Sequence, residues 1–324
     1  MTAGRLLVTG SCGLIGHAVV EAARNRFSCI SSDVRQGDDG DGFVELDLCD
    51  GRAVIAAIEL MRPSYVVHSA AISHAGLAEA DPLRAIEINT GGTANLLEAV
   101  RRVGVRRFVF ISSAVVYESY ADAELVDEGA RLEPRSIYGA SKIAAEALVH
   151  AYEKSFDLPA VILRPCSVYG PRRQTYSVPG YLVASALDGV PANVTDAGHA
   201  LDFMHVDDVV GAVLLALEID AALGKVYNIA TGIRSSYSEI AAIVCRIIPQ
   251  ARIVLLEGKP DLGAEPSLDV ERARRELGFT CRLDIEAGLA ALALSLSTNP
   301  EHKRLAREAA SALPAGLSHS VSRR

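Results

Sequence analysis

The sequence contains no tryptophan, and aromatic residues of any kind make up only 5% of it, so its core must be built from aliphatic side chains. It also lacks any basic excess. With a formal net charge of −8 it does not offer the cationic surface that nucleic acid or an anionic membrane requires, so neither partner is expected. Six cysteines, Cys12, Cys29, Cys49, Cys166, Cys245 and Cys281, are scattered without a C-x-x-C pair or a Cys/His cluster. That pattern gives no zinc signal and no metal site, and it suits reduced thiols in a cytoplasm. The opening "MTAGRLLVTG" has no basic n-region or long apolar stretch, so neither a signal peptide nor a membrane span is expected. No internal repeat or low-complexity block is visible either.

What is there is globular in character: half the 324 residues are hydrophobic and 22% are charged. A chain of this length makes two domains or one large α/β unit. "RLLVTG" (5–10) reads as a buried strand, and "LIGHAVVEAARNR" (14–26) follows with helical spacing. Strands at 29–33, 43–47, 65–70, 107–113 and 160–165 then alternate with helices at 50–61, 83–102 and 137–156. Near-continuous apolar strands fed by crossover helices predict a doubly wound parallel sheet covered on both faces. After Pro165 the pattern loosens. A loop is expected around 192–206, then a helix at 207–218 and a further strand of the main sheet at 225–232. Residues 1–165 with about 200–232 are assigned to a nucleotide-binding domain, and about 166–199 with 233–298 to a smaller C-terminal substrate lobe. The tail 299–324, with five Lys/Arg against two Glu, reads as a frayed surface helix or disordered chain.

"TGSCGLIG" places Gly10, Gly13 and Gly16 directly between the first strand and the first helix. The three glycines serve a tight turn, a close approach of backbone to a pyrophosphate, and close helix–strand packing. The helix start aims free N–H groups at the phosphates. Asp33 closes the second strand about 20 residues on, where a carboxylate accepts the ribose hydroxyls of NAD and repels a 2′-phosphate. Arg35, two residues later, pulls the other way, toward NADP. Asp47 either meets the adenine edge or caps helix 50–61. Ala70 and Ala71 are small enough for a flat cofactor to lie against the sheet.

In "SIYGASKIAAE", Tyr138 and Lys142 are four apart on a helix and rise from one face. Ionising a free tyrosine, pKa about 10, at pH 7 costs roughly 4 kcal/mol. An ammonium about 5 Å away, at an effective dielectric near 20, returns on the order of 3 kcal/mol. An oxidised nicotinamide beside the phenol adds a further positive charge, and the phenol then becomes a competent base for a secondary alcohol. An ordinary surface Tyr/Lys pair would look the same taken alone; position after "FISSAVVY" is what gives it weight.

Taken in order, "TGSCGLIG", Asp33, "LDLCD", "VVHSAAIS", "NTGGTANLLEAV", "FISSAVVY", "YGASK", "LRPCSVYGP", "DFMHVDDV" and "YNIATG" make the chain resemble the extended short-chain dehydrogenase/reductase family, including its NDP-sugar epimerases and dehydratases. The resemblance implies NAD as cofactor, Tyr138 as base, Lys142 on the nicotinamide ribose, and Ser113 hydrogen-bonded to the reacting hydroxyl. It places Gly10, Cys12, Gly13, Leu14, Ile15, Gly16, Asp33, Arg35, Asp47, Leu48, Ala70, Ala71, Asn89, Ile111, Pro165 and Ser167 around the cofactor. Asn89 alternatively only packs its helix. His74, Ser113, Ala114, Ser167 and Arg172 are the candidate substrate contacts. The resemblance also implies a homodimer through helices 83–102 and 137–156, whose Leu96, Leu97, Val100, Ala144, Ala147 and Leu148 would meet the partner.

Three departures bear on the substrate. Ser167 stands where sugar-nucleotide epimerases usually carry Asn. Leu201 stands where they usually carry Arg before the "DFMHV" segment, and Glu265, Pro266, Ser267 and Leu268 precede Asp269 where many have another Arg. Leucine cannot reproduce the two-pronged grip of arginine on phosphate. The 4,6-dehydratases place Asp-Glu after the catalytic hydroxyl residue, whereas Ala114 and Val115 follow Ser113 here, which argues against dehydration. The expected function is therefore epimerase-type oxidation of a secondary alcohol of a sugar or sugar nucleotide through a transient ketone. The alternative is a dehydrogenase of a free sugar, sugar acid or other small alcohol without a diphosphate. His205, Asp207 and Asp208 are read as hinge packing and a cap for the next helix rather than metal ligands.

Overall fold

A computed structural model describes residues 4–35, 42–117, 125–256 and 266–311. In chain order the first half runs β1 (Arg5–Thr9), α1 (Leu14–Ala23), β2 (Ser28–Asp33), β3 (Phe43–Glu45), α2 (Gly51–Met61) and β4 (Tyr65–His68). Then come α3 (Ala75–Ala80), α4 (Pro82–Ile86), α5 (Thr93–Val103), β5 (Arg107–Ile111), the short β6 (Leu125–Val126), α6 (Ile137–Phe156) and β7 (Ala160–Pro165). The second half adds β8 (Ser167–Tyr169), α7 (Val178–Asp188), β9 (Ala192–Thr195), β10 (Ala200–His205), α8 (Val206–Glu218) and β11 (Lys225–Ile229). It ends with β12 (Arg234–Ser236), α9 (Tyr237–Ile247), β13 (Ile253–Leu256), β14 (Ser267–Leu268), α10 (Ile285–Thr298) and α11 (Pro300–Ser311).

Seven strands form one parallel sheet in the order β11-β7-β5-β4-β1-β2-β3. The alternation within β1 supplies both faces. Leu6 and Val8 pack under α1 and α8 with Val19, Val209 and Val213, while Leu7 packs with Phe108, Ile58, Leu96 and Val149 on the opposite side. Helices cover both faces, which is why β5 and β7 are buried along their whole length. The strand order reverses between β1 and β4, and a crevice opens at the carboxyl ends of those two strands. A second apolar cluster joins α7, α9, α10 and α11 to β10 through Leu182, Phe203, Tyr237, Val244, Leu292 and Ala306.

Several local expectations are corrected. Residues 192–206 are not a loop: β9 pairs with β13, and β10 pairs with β8 and β12. The Asp202 carboxylate ties β10 down by accepting from the Thr231 hydroxyl at 2.6 Å and the Gly232 N–H at 2.8 Å. Asp50, not Asp47, caps α2, accepting the Arg52 and Ala53 N–H groups. His205 rather than either aspartate caps α8, its Nδ1 accepting the Asp207 N–H, while buried Asp208 accepts the N–H groups of Arg282 and Leu283. The expected helix 83–102 is α4 and α5 joined by a π-helical turn at Glu87–Gly92. The tail is not frayed through Ser311: α11 buries Leu305, Ala306 and Ala309, and Lys303 and Arg307 hold Asp188 at the end of α7. Residues 312–324 and Glu265 lie outside the described residues.

His68 closes β4 as a buried polar link, one ring nitrogen 2.8 Å from the Thr9 hydroxyl and the other 2.9 Å from that of Thr93. Burial, helped by the Lys142 ammonium, pulls its pKa from 6.5 down to about 3. The unfolded imidazole takes up a proton near pH 6.5 and the folded one does not, so stability falls as pH drops through that window toward 3. His68→Gln should flatten this dependence. Urea midpoints taken at about pH 7.5 and about pH 5 should differ less in the variant than in the natural protein; equal differences would refute the assignment.

Candidate active site

The glycine loop turns at Gly10, φ +72°, where an added Cβ would lie 2.6 Å from the Ala70 nitrogen; at Gly16 it would lie 2.2 Å from the Gly10 oxygen. Any side chain at either place would push the loop off the sheet. Helix α1 starts after Gly13, which offers no side-chain cap, so its first-turn N–H groups are left for an anion. Asp33 is oriented by two backbone donors, Oδ2 accepting the Cys12 N–H at 3.0 Å and Oδ1 the Val34 N–H at 2.8 Å. Asp47 accepts the Cys49 N–H at 2.9 Å, which leads the lowering of its pKa, and faces Arg84 at 3.7 Å.

These groups line one long cleft. Its walls include Gly10, Gly13, Leu14, Ile15, Gly16, Asp33, Arg35, Asp47, Leu48, Ala70, Ala71, Ile111, Pro165 and Ser167, followed by Ser113, Tyr138, Lys142 and His74. The cradle, the acidic strand end and the flat alanine floor fit a dinucleotide whose ribose carries no 2′-phosphate.

Four expected contacts do not line it. Cys12 turns its thiol to the Arg35 carbonyl at 3.2 Å. Asn89 brackets Ile72, accepting its N–H at 2.8 Å and donating to its carbonyl, and also donates to the Ser141 hydroxyl at 2.9 Å. It therefore fixes the strand-end loop against α6 and does not itself line the cleft. Ala114 faces the core, because the 3-10 turn Ala114–Tyr117 rotates it away from the side on which Ser113 lies. Arg172 pairs with Glu301 of α11 at 3.2 Å; its neighbour Arg173 is the one in the cleft wall.

Ser136 caps α6 by accepting the Gly139 N–H at 3.0 Å, and so sets Tyr138 in the first turn and Lys142 one turn later. Both are buried, and both reach the cleft. The Lys142 ammonium donates to the Ile111 carbonyl at 2.8 Å and sits 4.9 Å from the centre of the Phe110 ring. Burial pulls its pKa from 10.5 down to about 8, and the Glu146 carboxylate opposes the shift. Burial likewise lowers His74, with Arg173 contributing.

Glu146 and Arg164 were not recognised as site residues from the sequence. Glu146 accepts from the Ser112 hydroxyl at 2.5 Å and from Arg164 at 2.9 and 2.5 Å, both residues being buried. Arg164 also donates to the Tyr117 hydroxyl, which donates to Asn228 at 3.0 Å. The available signal was a carboxylate four residues after Lys142 and an arginine inside an apolar strand, since such charges are buried only when paired. Arg173, Tyr176, Leu201, Phe203 and Tyr237 also line the cleft. Among the described residues the lining carboxylates are Asp33, which accepts from the glycine loop, and Asp47 after β3, and no group of three metal-ligating side chains occurs.

Residues 6–230 match the model of the NAD dependent epimerase/dehydratase family. The dTDP-glucose 4,6-dehydratase of Neisseria gonorrhoeae is 29% identical over 322 residues, covering 88% of this chain and 93% of that protein. The corresponding enzyme of an Actinoplanes species is 31% identical over 251 residues, covering 76% and 77%. Among solved structures, UDP-glucose 4-epimerase from Thermotoga maritima has a TM-score of 0.84 at 27% identity, covering 90% of this chain and 98% of its own. MoeE5, in complex with UDP-glucuronic acid and NAD, has a TM-score of 0.83 at 30% identity, covering 91% and 99%. The chain therefore belongs to the NAD-dependent epimerase/dehydratase family, as an enzyme of the extended short-chain dehydrogenase/reductase type with NAD as its cofactor.

Proposed function

We propose that the protein is an epimerase-type enzyme that oxidises a secondary alcohol of a sugar or sugar nucleotide through a transient ketone, with Tyr138 as the base. The observation that carries this reading is that Ser113, Tyr138 and Lys142 line one cleft. Its lining acids among the described residues, Asp33 at the end of β2 and Asp47 after β3, lie at the edge of the sheet away from β5. Bound NAD supplies the site that accepts a hydride from the carbinol carbon and returns it. The Tyr138 phenol takes the hydroxyl proton, and the Ser113 hydroxyl donates to the same oxygen. Lys142, pinned by the Ile111 carbonyl, provides the positive charge that favours an ionised phenol. Burial of Tyr138 and Lys142 keeps water from competing for the proton.

Dehydration needs an acid for the leaving hydroxyl, and among the described residues none stands directly after Ser113: Ala114 is packed in the core and Val115 offers only methyl groups. In this it parts from the pattern expected of dehydratases, although curated relatives are dTDP-glucose 4,6-dehydratases. Those names, with the nucleotide sugars held by solved relatives, favour a sugar nucleotide. One feature favours the second reading, a dehydrogenase of a free sugar, sugar acid or small alcohol: Leu201, in the cleft wall, stands at the sequence position where the resembling sugar-nucleotide epimerases usually carry an arginine.

A homodimer through α5 and α6, and a cytoplasmic setting, complete the proposal. Leu96, Leu97 and Val100 are spent in the protein's own core. Ala140, Ala144, Ala147 and Ala151 make the exposed face of α6 that a partner would cover. No described helix is long and apolar enough to cross a membrane.

Purified protein incubated with NAD and a panel of sugars and sugar nucleotides should yield a stereoisomer without net NADH; stoichiometric NADH would instead establish the dehydrogenase. Tyr138→Phe should lower turnover by about a hundredfold or more, and undiminished turnover would refute its role as base. Light scattering at micromolar concentration should give twice the chain mass, and a monomeric mass would refute the dimer.

A further inference from the structure

Gln174 crosses the cleft. It belongs to the segment 170–177 between β8 and α7, on the substrate side, yet its side chain grips the opposite wall. Its Nε2 donates to the Cys12 carbonyl in the glycine loop at 2.9 Å, and its Oε1 accepts from the Arg35 guanidinium at 3.0 Å. One amide thus joins the substrate-side segment to the two elements that flank the ribose and diphosphate positions, the glycine loop and the end of β2. The segment is also fastened from behind. Arg172, its side chain only 12% exposed, pairs with Glu301 of α11. Helix α11 is in turn fixed to the end of α7 by Lys303 and Arg307 on Asp188.

We propose that Gln174 is a clasp that retains NAD, closing segment 170–177 over the glycine loop, with α11 as the brace behind it. Both of its partners are protein groups, so the same two hydrogen bonds must break for the cofactor to enter as to leave. The clasp consequently governs exchange rates more than affinity. It rests on the NAD site for its chemistry and on the epimerase reading for its use: an enzyme that returns the hydride to the same substrate needs no cofactor exchange between turnovers, whereas a net dehydrogenase must release NADH each time. The clasp also occupies Arg35 with a neutral amide, so the cation next to Asp33 has a partner other than a 2′-phosphate.

The test is NADH exchange, read by nicotinamide fluorescence in a stopped-flow instrument, on the natural protein, Gln174→Ala and Gln174→Met. Methionine keeps the length of the side chain and loses both hydrogen bonds. Two bonds at the solvent edge set the expected size: association and dissociation should each accelerate roughly tenfold in both variants, with Kd moving by less than about threefold. Glu301→Ala, outside the cleft, should speed dissociation by a smaller factor. Dissociation within about twofold of the natural rate in both Gln174 variants would overturn the proposal. So would acceleration in the alanine variant alone, which would mean that bulk rather than hydrogen bonding matters. A rise in Kd that follows dissociation with association unchanged would make Gln174 a direct cofactor contact and overturn it as well. Should either Gln174 variant fail to fold by circular dichroism, Glu301→Ala decides: faster dissociation sustains the clasp, an unchanged rate overturns it. Exchange is read without turnover, so failure to find a sugar substrate would not touch this result.

Discussion

The ammonium of Lys142 is buried where water cannot solvate it, and much of the surrounding structure exists to keep it there charged. A carbonyl at the end of β5 accepts a hydrogen bond from it, an aromatic face lies beneath it, and Glu146 stands one helical turn away. Glu146 cannot cancel the charge outright, because Arg164 and Ser112 already hold both of its oxygens. Lys142, Glu146 and Arg164 together leave a net positive charge under the cleft, the sign that favours an ionised phenol above it. Removing Glu146 or Arg164 would leave its partner's buried charge uncompensated, a cost on the order of 3–5 kcal/mol. That cost ties β5, α6 and β7 into a single rigid support.

The same strand ends divide the cleft into two halves with different physics. Toward β1 and β2 the recognition is by backbone: glycines that admit no Cβ, an uncapped helix start, and a carboxylate oriented by two N–H groups. Toward β8 and β10 it is by side chains, largely apolar and aromatic, with Arg173 among them. Segment 170–177 belongs to the second half and reaches across to the first through the Gln174 amide, so one piece of chain touches both walls of the cleft.

Local patterns were legible in the sequence because each is written in consecutive residues. The glycine spacing, Asp33 at a strand end and the i, i+4 placement of Tyr138 and Lys142 all survive as geometry, as does the parallel sheet. Features set by distant partners were not. Asn89 reads as a helix residue until its grip on Ile72, seventeen positions earlier, is seen. Arg172 and Arg173 are neighbours in sequence, and only α11 shows which of them turns away from the cleft. Ser113 and Ala114 part company because a single 3-10 turn changes the side each faces. Leu96, Leu97 and Val100 mark an apolar face, yet periodicity cannot say whether that face meets the protein's own sheet or another chain.

The most direct measurement is the pH dependence of hydride transfer in the NAD-loaded protein, natural and Lys142→Met. With the ammonium losing its proton at about 8, the natural rate should stop rising and fall as pH passes that value. The methionine variant should be slower by about a hundredfold or more at neutral pH and show no such limb. A methionine variant that kept both the rate and the alkaline limb would show that the buried charge is not what drives the chemistry.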